Sequence, residues 1–145
     1  MFKNFIIFIN FFFLISCVTP TGAVINESDI SLTETRKVIF KMFGEPKSIS
    51  QNGRELITEF MDKKGRILES AKKGKERRYA HITILGERRP YKIVVNAVVE
   101  TLVEGNEYEL AGDDEVLSES LAKDLKKELL KSLDNRNMFD DFKPF

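Results

Sequence analysis

The chain has one cysteine, one histidine and no tryptophan among its 145 residues. A lone thiol closes no internal disulfide, and one His with one Cys falls short of the four ligands of a structural zinc site. A Gly-rich phosphate loop, a nucleophile elbow, a paired-acid motif and metal-ligand spacing are all missing, so we expect a non-catalytic protein with no catalytic residue, metal or dissociable cofactor. Long apolar runs are missing too. The longest, Phe5 to Ile15, is interrupted by Asn10, well below the about 20 residues of a membrane-spanning helix.

That short run has a different use. Lys3 precedes it as a positive n-region, and its length suits the apolar part of an export signal. It ends in Leu14-Ile15-Ser16-Cys17, which resembles the bacterial lipobox: an aliphatic residue, a branched residue, a small residue and cysteine. The resemblance implies that residues 1–16 are a signal peptide and that Cys17 becomes the lipidated N-terminus, carrying a diacylglycerol on sulfur and a fatty acyl group on its amine. Two or three acyl chains, at about 0.8 kcal/mol per buried methylene, hold a protein at a membrane durably. Val18, where Asp would retain a lipoprotein in the inner membrane, resembles the outer-membrane default. The localisation expected is therefore the bacterial cell envelope, outer membrane before inner. An uncleaved anchor and an ordinary signal peptide are the competing readings.

Residues 17–30 are expected to be a lipidated flexible tether: Val18 to Asp29 mixes Thr, Pro, Gly, Asn and Ser without period, and these twelve residues reach at most about 40 Å. Ser31-Leu32-Thr33-Glu34 then reads as a capping box. Leu32, Thr35, Ile39, Met42 and Phe43 follow helical spacing until Gly44 and Pro46 stop it. A helix ending in Gly44-Glu45-Pro46, a polar loop through Gly53 and a strand resemble the small barrel-assembly lipoproteins of the outer membrane. Where that family has aromatics on its first strand, this chain has Leu56 and Ile57, with Phe60 nearby.

From Leu56 onward the pattern shortens to two. Leu56 to Met61, Arg66 to Ser70, Arg77 to Leu85, Tyr91 to Val103 and Tyr108 to Leu110 read as an antiparallel meander, with turns at Asp62–Gly65, Ala71–Lys75, Gly86–Pro90 and Gly105-Asn106. Leu117, Leu121, Leu125, Leu129 and Leu133 then recur every four residues, a helix whose stripe suits the sheet's apolar face better than a heptad seam. The expected fold is α+β: three to five antiparallel strands with an N-terminal and a C-terminal helix on one face. A single domain spans 31–133, and 134–145 form a polar tail containing Phe139, Phe142 and Phe145.

Net charge is zero, yet the signs are segregated. Lys63 to Lys92 holds eleven Lys and Arg against three acids, and Glu100 to Asp124 holds nine acids against Lys123 alone. Arg77, Arg78, Arg88 and Arg89 bracket one strand. They serve either to protect a sheet edge or as a patch for phosphate-bearing headgroups or an acidic partner. Nucleic acid is not expected, since no aromatics interleave with these bases. His81 sits mid-strand without a nucleophile motif beside it, so a structural or surface role is expected over a general base.

These features suggest a lipid-anchored envelope protein that binds a protein partner or assists an outer-membrane complex. A lipid or small-ligand module facing the periplasm is the alternative. So is an accessory lipoprotein of lipopolysaccharide export, which the order of helix, strands and helix resembles at fold level.

Overall fold

The computed structural model describes residues 21–69 and 74–140, with backbone alone for 136–140. The chain runs β1 (Ala23–Ser28), α1 (Leu32–Phe43), β2 (Ser48–Ile49), β3 (Glu55–Ile57), β4 (Glu76–Leu85), β5 (Tyr91–Leu102), β6 (Tyr108–Asp113) and α2 (Glu115–Asp140). The expected signal peptide, Cys17 and most of the turn at 71–75 lie outside the described residues, as do residues 141–145.

β5 organises the sheet because its alternation is the longest and most apolar. Ile93, Val95 and Ala97 are fully buried on one side, and Ala80, Ile82 and Ile84 of β4 join them. β4 pairs along nearly all of β5, from Glu76 opposite Thr101 to Leu85 opposite Lys92. The strand order is β1-β5-β4-β3-β2, antiparallel throughout, and β6 also pairs with β5. β1 and β6 share one edge of β5: β1 lies opposite Val95 to Tyr91, β6 opposite Val98 to Leu102. The fold class is thus the expected α+β arrangement, with a sheet of six strands.

Two boundaries move. The stretch expected to be tether supplies β1, whose Ile25 enters the core at 5% exposure. Its strand signal is only Val24-Ile25 between Gly and Asn, too short to stand out against turn-forming neighbours. Gly22 makes the entry possible: its φ is +127°, and a Cβ there would lie 2.7 Å from the Val95 carbonyl oxygen. Five residues, 18–22, separate Cys17 from β1 in the sequence. At the other end α2 continues to Asp140, so the first part of the expected tail is helical. The expected strand at Arg66–Ser70 reduces to a single bridge between Met61 and Ile67.

Both helices cover the same sheet face. Val38, Ile39 and Phe43 of α1 and Leu117, Leu121, Leu125 and Leu129 of α2 form one buried cluster with Leu56, Ile82, Ile93 and Val95. Ser31 caps α1, its hydroxyl accepting from the Glu34 N–H at 3.3 Å. Glu34 turns its carboxylate to the Ser132 hydroxyl at 3.0 Å and to Lys37, so the acid that completes a capping box in sequence ties α1 to α2 instead. Gly44, at φ 75°, closes α1 by donating to the Phe40 carbonyl.

Two hydroxyls finish the sheet where strands run out. Ala80 and Ala97 face each other across β4 and β5. The Ala80 N–H donates to Thr58 Oγ1 at 2.9 Å and the Ala97 N–H to Ser118 Oγ at 2.8 Å. Both hydroxyl residues are 1% exposed. A buried N–H without a partner costs about 1–3 kcal/mol, so Thr58 and Ser118 take the place of missing strand neighbours.

Candidate partner-binding surface

The structure does not bring the four arginines singled out in the sequence together. Arg77 and Arg78 stand at the start of β4, and Arg88 and Arg89 lie beyond its far end in the turn before β5. A ten-residue strand separates the pairs by about 30 Å. Arg77 and Arg78 also point to opposite faces, as neighbours in a strand must.

Neither is free. On the open face, Arg77 lies between two rings, its guanidinium 3.8 Å from the centre of Phe60 and 3.7 Å from that of Tyr108. It grips Glu100 through two nitrogens, both at 2.6 Å. On the helix face, the Arg78 side chain is 8% exposed and bonds Asp114 at 2.9 Å and Glu76 at 3.2 Å. The shared anion patch therefore dissolves into two structural ion pairs. In the turn, whose Arg89–Pro90 bond is cis, Arg89 donates to the Asp29 carbonyl at 3.1 Å.

Asp114 does two jobs. Its Oδ1 accepts the Leu117 N–H at 3.0 Å, capping α2, while Oδ2 holds Arg78. The Leu117 amide and then Arg78 keep its pKa below the usual carboxylate range. Arg78 does the same for Glu76, aided by Lys63. In the turn after β3, the Arg66 main-chain and side-chain donors hold Asp62 down to about 2. This end of the sheet is a network of satisfied charges.

His81 lies on the open face, opposite Asn96 of β5 and Ile57 of β3. Among the described residues, no group of three or more His, Cys, Asp and Glu is placed to hold a metal ion, and no helix is long and apolar enough to cross a membrane.

Arg88, Arg89 and Lys92 stay exposed at the far end of β4, and a separate exposed run carries the other sign. Glu104, Glu107, Glu109 and Asp113 follow one another along β6 and the turn before it, and Glu115 and Glu119 open α2; all are solvent-facing, and Asp113, Glu115 and Glu119 line one recess. A recess of about 210 Å³ lies among Thr21, Asn96, Asp113 and Glu119. Its floor is organised by Asn96, which donates to Asp113 at 3.0 Å. Leu110, in the middle of β6, is 72% exposed. The acidic run was legible as composition, but only pairing shows which charges stay free: Glu100 and Asp114 are consumed by arginines, and their acidic neighbours are not.

β6 supplies the geometric half of the surface. It has β5 on one side and, among the described residues, no strand on the other. An acidic strand with an open edge and one bare leucine is thus the most distinctive exposed feature of the domain. No family model, curated protein or solved structure matches the chain.

Proposed function

We propose that the chain is a lipid-anchored, non-catalytic protein of the bacterial cell envelope that presents a small α+β domain to a protein partner. The observation that carries this reading is the contrast within one sheet. One face is closed by α1 and α2 in a continuous core, while the opposite face, on which Val94, Val98 and Phe60 are still buried, and the β6 edge carry no covering helix or strand among the described residues. The sequence adds Leu14-Ile15-Ser16-Cys17 and a five-residue link to β1, which keeps the domain within about 17 Å of its attachment point. A partner in or at the same membrane is then met at high effective concentration. Assisting an outer-membrane complex is the specific form of this role that the anchor favours.

The test separates anchor from surface. Cys17→Ser is expected to move the protein from the detergent phase to the aqueous phase with its circular dichroism unchanged. Purification of the tagged, lipidated chain from membranes is expected to recover a partner in fixed stoichiometry. Unchanged partitioning of Cys17→Ser removes the anchor from the reading. A co-purifying lipid without protein favours the ligand-binding alternative instead.

A further inference from the structure

We infer that the partner docks by adding an extended, Lys- or Arg-rich segment as a new strand along the free edge of β6. This rests on the proposed partner-binding role and names where and by what chemistry it acts.

The backbone comes first. The Val103 N–H donates to the Glu107 carbonyl at 2.9 Å, which marks these two as a hydrogen-bonded pair. Antiparallel ladders alternate between bonded and non-bonded pairs. Glu109 therefore directs its N–H and C=O towards β5, and Tyr108 and Leu110 direct theirs outward. Among the described residues those outward groups have no strand partner, and an added strand can satisfy them in a complex.

The charge selects the strand. Glu107 and Glu109 flank Tyr108 and precede Leu110, and Arg77 and Arg78 at this end of the sheet are committed to Glu100 and Asp114. Sheet edges are commonly guarded by lysine; this one is guarded by acids. Self-pairing of β6 would oppose glutamates to glutamates, which is unfavourable across a ladder, so a second copy of the chain is rejected by the same residues. A basic segment laid along this edge places opposite charge across from Glu107 and Glu109. With one bare leucine as the apolar contact, the affinity is carried by main-chain bonds and screened electrostatics, so it is sensitive to salt.

The experiment uses the full lipidated chain in detergent micelles. The probe is a synthetic peptide of about eight residues, alternating Val and Thr with two Lys at each end. Peptide binding is expected to slow amide exchange at Leu110 by about tenfold or more, and to weaken as salt rises. A probe ending in Glu is expected not to bind. Leu110→Pro removes an outward N–H, which an edge strand tolerates, together with the leucine side chain, and is expected to abolish binding, whereas Leu110→Ala keeps the N–H and is expected to retain it. Should the proline variant fail to fold, Glu107→Lys with Glu109→Lys leaves the backbone intact and is expected to weaken binding at least about tenfold.

Equal binding by the Glu-ended probe, protection away from β6, unchanged binding by Leu110→Pro, or self-association of the free chain would each overturn strand addition by a basic segment. None of these outcomes touches detergent partitioning or partner recovery. A failed edge is therefore distinguishable from a failed anchor or partner reading.

Discussion

Arg77 and Arg78 are adjacent in the chain and show how differently the two faces of one sheet are built. Arg78 points under the helices, where it is nearly removed from water and must be matched by Asp114 and Glu76. Arg77 points to the face without helices, where Phe60, Tyr108 and Glu100 enclose it. The closed face is held by apolar burial and has one charged node at the helix cap. The open face is held by cross-strand contacts such as Arg77 with Glu100 and Asn96 with Asp113. Losses on the closed face therefore spread through the core, whereas losses on the open face stay local.

The largest effect is expected from Leu125→Asp. Leu125 is 0% exposed at the centre of the α2 stripe, and the change removes the packing and buries a carboxylate, worth more than about 5 kcal/mol together. Circular dichroism and sedimentation are expected to show an unfolded chain; a folded monomer would place α2 at a partner seam instead of on the sheet. Asp114→Ala comes next, at about 3 kcal/mol, since it uncaps α2 and strands Arg78. The same pair sets the acid limit. Asp114 and Glu76 have lowered pKa values in the fold. Their contribution is thus complete above the unfolded values, 3.8 and 4.5, and is lost as pH falls through the folded ones. The Tm is expected to be flat near neutrality and to drop below about pH 4.5, with a shallower drop in Asp114→Asn.

The fold was largely legible because its strongest elements carry uninterrupted periods: Tyr91–Val103 at two residues, Leu117–Leu133 at four. β1 was hidden because a buried edge strand needs only Ile25 inside, and Gly22 and Asn26 make the surrounding composition look like linker. Thr58 and Ser118 were invisible for a related reason. A hydroxyl that completes a ladder is indistinguishable in sequence from one that faces water. The candidate site suffered more. Arginine pairs at the two ends of a strand read as a patch, but whether a charge is free depends on what stands across the ladder, and Glu100 and Asp114 lie more than twenty residues away. At the start of β4 the segregated charges become ion pairs, Arg77 with Glu100 and Arg78 with Asp114, while Arg88, Arg89 and Lys92 at its far end stay exposed.

A third change probes the open face without touching the core. Arg77→Lys keeps the charge but loses the planar fork that grips Glu100 and the flat surface that lies between two rings. The cost expected is about 1–2 kcal/mol, read as a lower urea midpoint with an unchanged m-value. A changed m-value would mean that the substitution reached the helix-covered core.

The smallest effect sharpens the comparison most. Leu85 ends β4 on the open face, opposite Lys92 and 37% exposed, so Leu85→Thr removes little packing and introduces a β-branched residue that suits a strand. The urea midpoint is expected to shift by less than about 0.5 kcal/mol equivalent. On the closed face the neighbouring Ile84, at 1% exposure, sets the contrast: the same replacement, Ile84→Thr, puts a hydroxyl into the cluster with Ile93 and is expected to cost several times more. Equal losses at 84 and 85 would mean that something covers the open face in solution, and the division between a sealed side and an available one would have to be abandoned.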